Sequence, residues 1–282
     1  FSEFKYLPSE HYGGDQYFHM GRSLHFFQGK PFYEGSDYVD EYEHYPWLTN
    51  AIIAIIAWAL HISVLKATIF FPVFSTVFTA SIVYVMGKKL TGSGYLAVLF
   101  SAIASTYYLT DSHPSEFAKF TFIPLITLAV YFLYFEEEKN EKNRLWKMAS
   151  IGVVLGLAAL QHVVSFLFGI ILFMAAVLAK IILTKQVHKE LKNFAATMCI
   201  TLPISLLYWW PILFIYKAKT LNSWQEWVTP SVYPSLKNVL GSLTGLFVNT
   251  SNILEIIISG TIIIGLVGVF ITLILNIIHM RK

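Results

Sequence analysis

The chain has little charge, almost no cysteine, and no clustered basic stripe. Charged residues make up 13% of its 282 residues, about half the share of an ordinary soluble domain, which excludes that class. A single cysteine, Cys199, excludes an intrachain disulfide; inside the apolar run 194–216 it is expected to be a small buried hydrophobe. The net charge of +3 is spread over short groups in loops, so nucleic acid is not an expected partner. The first residues, from Phe1, show no charged n-region followed by an apolar h-region and no initiator Met, so no signal peptide is visible and further residues are expected upstream.

What is abundant is apolar surface: 56% of the residues are hydrophobic and the mean hydropathy is +0.59. These values describe an all-α, polytopic helical membrane protein. Residues 1–46 are polar and aromatic, with no run near the ~20 apolar residues that a bilayer core requires. Apolar runs then follow at 47–63, 67–86, 94–110, 118–135, 147–163, 164–184, 194–216 and 256–279.

Charge bias orients these runs, because Lys and Arg in short loops collect on the cytoplasmic side. Lys88 and Lys89, then Lys139, Lys142, Arg144 and Lys147, then Lys180, Lys185, Lys189 and Lys192, and finally Arg281 and Lys282 form four basic groups. They share one side only if 67–86 is the first span. The run 47–63, with Thr49, Asn50, His61 and Ser63, is therefore expected to lie on the outer surface or to dip in and return. The resulting organisation is an outer-face segment 1–66 with this surface helix, a helical core 67–216, an outer loop 217–253 and a last span within 254–282. About seven spans follow: 67–86, 94–110, 118–135, 147–160, 164–184, 194–216 and 256–279. The sequon Asn249-Thr250-Ser251 falls on the outer side, consistent with glycosylation there.

Chemistry-bearing residues gather on that side. Asp111-Ser112-His113-Pro114-Ser115-Glu116 sits between two spans, and Asp15 lies in Gly13-Gly14-Asp15-Gln16-Tyr17-Phe18-His19. Asp15, Asp111, His113 and Glu116 offer hard oxygens and one nitrogen, a donor set suited to Mg²⁺ or Mn²⁺. Arg22, Lys30 and Lys119 are able to pair with a phosphate. Each residue also has a plainer role: Asp15 as a turn or cap residue, Glu116 as a first-turn carboxylate, Asp111 and His113 as solvated loop residues. His19 and His162 are candidate substrate contacts, with a satisfied interfacial histidine the plainer role for His162. Trp224 and Trp227 in the aromatic loop 217–253 either rest at the headgroup level or cover a substrate. No span carries the buried charge that a solute path needs, so a transporter ranks last.

The pattern resembles the GT-C superfamily of membrane glycosyltransferases, and within it the catalytic subunit of oligosaccharyltransferases. Gly14-Asp15-Gln16-Tyr17-Phe18-His19 resembles the acidic motif of the family's first outer loop, and Asp111-Ser112-His113 fits the DxH form of its second. His44-Tyr45-Pro46-Trp47-Leu48-Thr49, Phe70-Phe71-Pro72-Val73-Phe74-Ser75 with Gly87-Lys88-Lys89, and Ala102-Ile103-Ala104-Ser105-Thr106-Tyr107-Tyr108 resemble the stretches between. The likeness covers roughly 13–180. The family's first span and its soluble C-terminal domain are not found here, and Trp224-Gln225-Glu226-Trp227 is not its WWDYG motif.

The resemblance implies a transferase that uses a polyprenyl-phosphate-linked sugar at the outer membrane face, with a protein or glycan acceptor and membrane lipids around it. Asp15 is then the catalytic carboxylate and a metal ligand, and Arg22 and Lys119 bind the donor phosphate. Glu116 stands nearer than Asp111 to the family's expected second ligand, so Asp111/His113 and His113/Glu116 both fit as the metal-binding pair. The alternative is a GT-C-like subunit without chemistry that serves assembly or substrate delivery.

Overall fold

The computed structural model of the protein describes residues 14–35, 45–107, 114–135 and 140–215. All belong to the first of two compact units, Phe1–Lys219; the second, Thr220–Lys282, lies outside the described residues, and with it the expected span 256–279. The described residues form helices and no strand.

The order is α1 Gly14–Phe27, α2 Leu48–Ala59, α3 Val64–Thr91 and α4 Gly94–Tyr107. Then come α5 Pro114–Phe117, a π-helical turn Ala118–Phe122, α6 Ile123–Ala129 and a second π turn Val130–Tyr134. The order ends with α7 Glu141–Gln161, α8 Val163–Thr184, α9 Val187–Trp210 and a last π turn Pro211–Ile215. The first π turn has a cause in the sequence. Pro124 has no N–H to return to the carbonyl four residues back, and the Ile123 N–H instead reaches Ala118 O.

Helix ends are set locally. The Ser63 hydroxyl accepts from the Lys66 N–H and starts α3. Gly92, in the left-handed region at φ 69°, ends α3, with Lys88 and Lys89 in the last turn where the helix dipole favours cations. Asn140 accepts from the Lys142 N–H ahead of α7. Lys185, also left-handed at φ 57°, ends α8.

Three helices, α3, α8 and α9, are long and apolar enough to cross a membrane. The expected count of seven is not reached among the described residues, because length and charge decide it. The described part of α4 has 14 residues, ~21 Å at 1.5 Å per residue, against a core of ~30 Å; residues 108–110 of the expected span lie outside the described residues. Helix α7 is long enough, but Glu141, Lys142, Arg144 and Lys147 occupy its first turns. The stretch Ala118–Tyr134 and α2 are shorter apolar helices.

The polarity of α8 fits a lipid setting: Leu167, Ile171, Met174, Leu178 and Ile182 make an exposed apolar stripe, while Ser165, Gly169 and Phe173 face inward. Inside, Phe71, Phe117, Phe122, Ile126, Tyr134, Met148, Ile151, Leu155 and Phe173 form the main core.

A close contact joins α7 to α9. Gly152 lies against Thr197 and Ile200, and a Cβ added there would stand 2.7 Å from the Thr197 carbonyl oxygen. One turn on, a Cβ at Gly156 would stand 2.6 Å from Ile204 Cβ. Small residues at this spacing let helix backbones approach closely in membranes. Across the same seam the Thr201 hydroxyl donates to Gly152 O at 3.2 Å. Cys199 is exposed, contrary to the expectation of burial, because α9 turns Thr197 and Thr201 toward α7 and Cys199 away.

Candidate functional site

One end of the helix bundle collects most of the described candidate residues. It is built around α2, whose Thr49 and Asn50 are 1% and 0% exposed. The sequence presents these as water-facing residues of a surface helix; the structure turns them inward, where each meets a polar partner. The Asn50 amide donates to His19 O at 2.6 Å and lies 3.4 Å from the Ser23 hydroxyl, tying α2 to α1. The Thr49 hydroxyl donates to Gln161 Oε1 at 2.8 Å, tying α2 to the end of α7.

Gln161 is itself fully buried. Its amide nitrogen donates to the Thr49 hydroxyl at 2.5 Å and to Pro114 O at 2.9 Å. Residues 112 and 47 positions apart in sequence are thus joined through one carboxamide. Each bond matters here because an unpaired buried amide or carbonyl costs ~1–3 kcal/mol.

Tyr45 is the aromatic centre of this end. The His19 ring meets it edge-on at 5.1 Å and the His162 ring at 5.8 Å. The Arg22 guanidinium donates to Tyr45 O at 2.6 Å and lies over the rings of Phe18 and Tyr45 at 5.4 and 5.7 Å. It is 1% exposed, and aromatic faces are the surroundings that make a desolvated guanidinium tolerable. His162 caps α8: its Nδ1 accepts from the Val164 N–H at 3.2 Å. One ring nitrogen of His162 is thus satisfied within its own turn.

Asp15 falls in the first turn of α1 and Glu116 on α5; the side chains of both, and the whole of Asp111, His113, Trp224 and Trp227, lie outside the described residues. Lys119 is an exposed residue of the π turn that follows α5. The structure therefore brings His19, Arg22 and His162 together around Tyr45, with the Pro114 backbone tied into the same end. Among the described residues no three His, Cys, Asp or Glu side chains form a set able to hold a metal ion.

Thr49, Asn50, Gln161 and Tyr45 organise this end, and their place in it was not read from the sequence. A polar pair at the start of an otherwise apolar helix is a signal with two readings, a wet face or a buried tie, and only packing separates them.

The other end of the bundle is also polar. The Tyr134 hydroxyl donates to Glu190 Oε2 at 2.6 Å, and the Asn193 amide donates to the same oxygen at 2.9 Å. Glu190 is 0% exposed, so an ionisable side chain lies buried in α9 where none was expected; the helix begins seven residues before the apolar run and carries it along. Lys180 Nζ donates to Tyr134 O at 2.6 Å and sits 4.6 Å from the Tyr134 ring centre. Lys89 Nζ lies 4.7 Å from the Phe132 ring centre.

No family model, curated protein or solved structure matches this chain.

Proposed function

We propose that the chain is a membrane glycosyltransferase of GT-C type, or the membrane part of one, acting on a polyprenyl-phosphate-linked sugar at the extracytoplasmic face. The supporting observation is the tie at the Gln161 end: α1, which carries Asp15, is bonded to α2 through Asn50, the Pro114 backbone, one residue past His113, is bonded to the end of α7 through Gln161, and Thr49 joins α2 to Gln161. The segments that lead to two acidic stretches distant in sequence are thereby linked through the Thr49–Gln161 pair.

In this reading Asp15 accepts the acceptor's proton as its nucleophilic atom bonds to the anomeric carbon, and the carbon–oxygen bond to phosphate breaks, releasing the polyprenyl phosphate. Asp15, Asp111, His113 and Glu116 would hold Mg²⁺ or Mn²⁺, their oxygen-rich chemistry suiting either cation. Such a cation, when bound, neutralises the departing phosphate. Lys119, exposed beside α5, would pair with the same phosphate. Arg22 favours a second reading: a guanidinium buried between rings and bonded to Tyr45 O holds the fold of this end, as a non-catalytic subunit for assembly or substrate handling would also require.

The test is consumption of a polyprenyl-phosphate-linked sugar by membranes carrying the full chain, with Mn²⁺ present. Asp15→Ala and His113→Ala are each expected to slow it by at least about 10²-fold at equal amounts of folded protein. Full transfer in both variants would refute these roles. A wild-type chain that binds neither Mn²⁺ nor a polyprenyl phosphate would establish the second reading.

A further inference from the structure

Cations converge at the Glu190 end from four helices. Lys88 and Lys89 close α3, Lys142 lies in the first turn of α7, Lys185 ends α8, and Lys189 and Lys192 open α9; all are exposed. Side-chain contacts bring these helix ends together. Lys89 Nζ sits over the Phe132 ring, Tyr134 in the same π turn bonds to Glu190 of α9, and the Thr197 hydroxyl donates to Met148 O at 3.4 Å, which sets the start of α7 beside that of α9. In the sequence the connection 136–139 adds Glu136, Glu137, Glu138 and Lys139, and cations still outnumber carboxylates over these stretches.

Helix stability does not ask for all of them. The dipole favours cations at a helix C-terminus, where Lys88 and Lys89 stand, and carboxylates at an N-terminus. Lys142 and Lys189 occupy first turns, the disfavoured place, and among the described residues none of Lys142, Lys189 and Lys192 has an acidic partner. A negative charge from outside the chain would offset that cost. The surroundings say which kind. Tyr95, at the start of α4, is 92% exposed and Trp146, in α7, 66%, each at the same end as the lysines; Trp and Tyr favour the headgroup level of a membrane. On α8 the exposed apolar stripe runs to Ile182, just before Lys185. An occupant that is anionic against the lysines and apolar along the stripe is a lipid, and neither a soluble phosphate nor a nucleic acid.

We propose that the Glu190 end is a docking surface for anionic membrane lipid, its phosphate headgroup held by the lysines that close α3 and open α7 and α9, its acyl chains lying along α8. The proposal is independent of the glycosyltransferase reading, which concerns the opposite end of the bundle. Basic side chains gathered at one membrane surface attract an anionic leaflet in proportion to their number.

The experiment places the full chain in phosphatidylcholine nanodiscs carrying a trace of spin-labelled phosphatidylglycerol or of spin-labelled phosphatidylcholine. The fraction of label immobilised against the protein is read by EPR. Wild type is expected to hold the phosphatidylglycerol label in clear preference. Lys189→Gln with Lys192→Gln should weaken that preference by at least roughly fivefold. Lys88→Gln with Lys89→Gln should act alike, and carries the test if the first pair does not fold. Lys66→Gln, at the other end of α3, should leave the preference unchanged. Equal holding of both labels by wild type overturns the proposal and leaves these lysines to orient the chain during insertion. An equal loss in Lys66→Gln also overturns it, since the attraction would then belong to net charge and not to this end. Glycerol phosphate that displaces the label as well as unlabelled phosphatidylglycerol does, at matched ionic strength, would mark a site for a soluble phosphate and overturn the lipid assignment.

Discussion

The two polar ends of the bundle solve one problem with different chemistry. At the Gln161 end the bonds that tie α2 to α1, to α7 and to Pro114 run between amides, a hydroxyl and backbone carbonyls, all neutral, with the Arg22 guanidinium buried beside them. At the Glu190 end a carboxylate is buried, with two donors on one oxygen and, among the described residues, none on the other. A neutral tie is inexpensive to bury and points at specific backbone atoms. A buried carboxylate loses more hydration and recovers it only as far as its partners allow. The Gln161 end therefore fixes where three chain segments run, whereas the Glu190 end fixes side chains on helices already paired.

Both ends depend on the seam between α7 and α9, since Gln161 closes α7 and Glu190 opens α9. Breaking the seam should erase the contrast, and it carries the largest stability effect. In Gly152→Val the new Cβ would stand 2.7 Å from the Thr197 carbonyl oxygen and 2.8 Å from Ile200 Cβ, contacts that only a shift of one helix relieves. Overpacking of this kind costs about 3 kcal/mol. The thermal midpoint of the purified chain should fall, with hydrogen exchange rising at 115–120 and at 187–193 together. Unchanged exchange at either end would show that the seam does not couple them.

Removing the charge sharpens the comparison from one side. Glu190→Ala leaves the Tyr134 hydroxyl and the Asn193 amide without their acceptor, and is expected to destabilise by about 2 kcal/mol. Glu190→Gln keeps an acceptor for Tyr134 and should lose less than half of that. Under the proposed glycosyltransferase reading, sugar transfer per folded molecule should match wild type in both, because the carboxylate belongs to the end opposite Pro114. A transfer defect larger than the loss of folded protein would tie the Glu190 end to function and end the distinction.

The presence of helices long and apolar enough to cross a membrane was legible from composition, because burying apolar residues and facing lipid both need them in long runs. The limits of α3 and α8 followed closely: 67–86 against Val64–Thr91, and 164–184 against Val163–Thr184. The roles of Thr49, Asn50 and Glu190 were not legible, since a polar residue beside an apolar run reads as the edge of a span until its partner is known. The α7–α9 seam did leave a signal, Gly152 and Gly156 four apart with Thr197, Thr201 and Ser205 at the same interval. For the candidate site, the sequence offered Asp15, Asp111, His113 and Glu116 as a donor set; the described structure reaches only the backbone nearby, the His19 and Pro114 carbonyls.

The smallest effect separates the two kinds of contact that Lys180 makes at the Glu190 end. Its ammonium both donates to Tyr134 O and lies over the Tyr134 ring, beside the carboxylate's own partner. Lys180→Met keeps most of the apolar stem against the ring and removes the charge, and is expected to cost about 1 kcal/mol. Lys180→Arg restores a cation over the ring and should recover part of that loss, read as a shift in the thermal midpoint. In the Glu190→Ala background the cost of Lys180→Met should change, because both residues act on Tyr134 and contacts that share a partner do not add. Strict additivity would mean that Lys180 serves the backbone carbonyl alone, and that the polar groups at this end are independent contacts rather than a connected set like the one at Gln161.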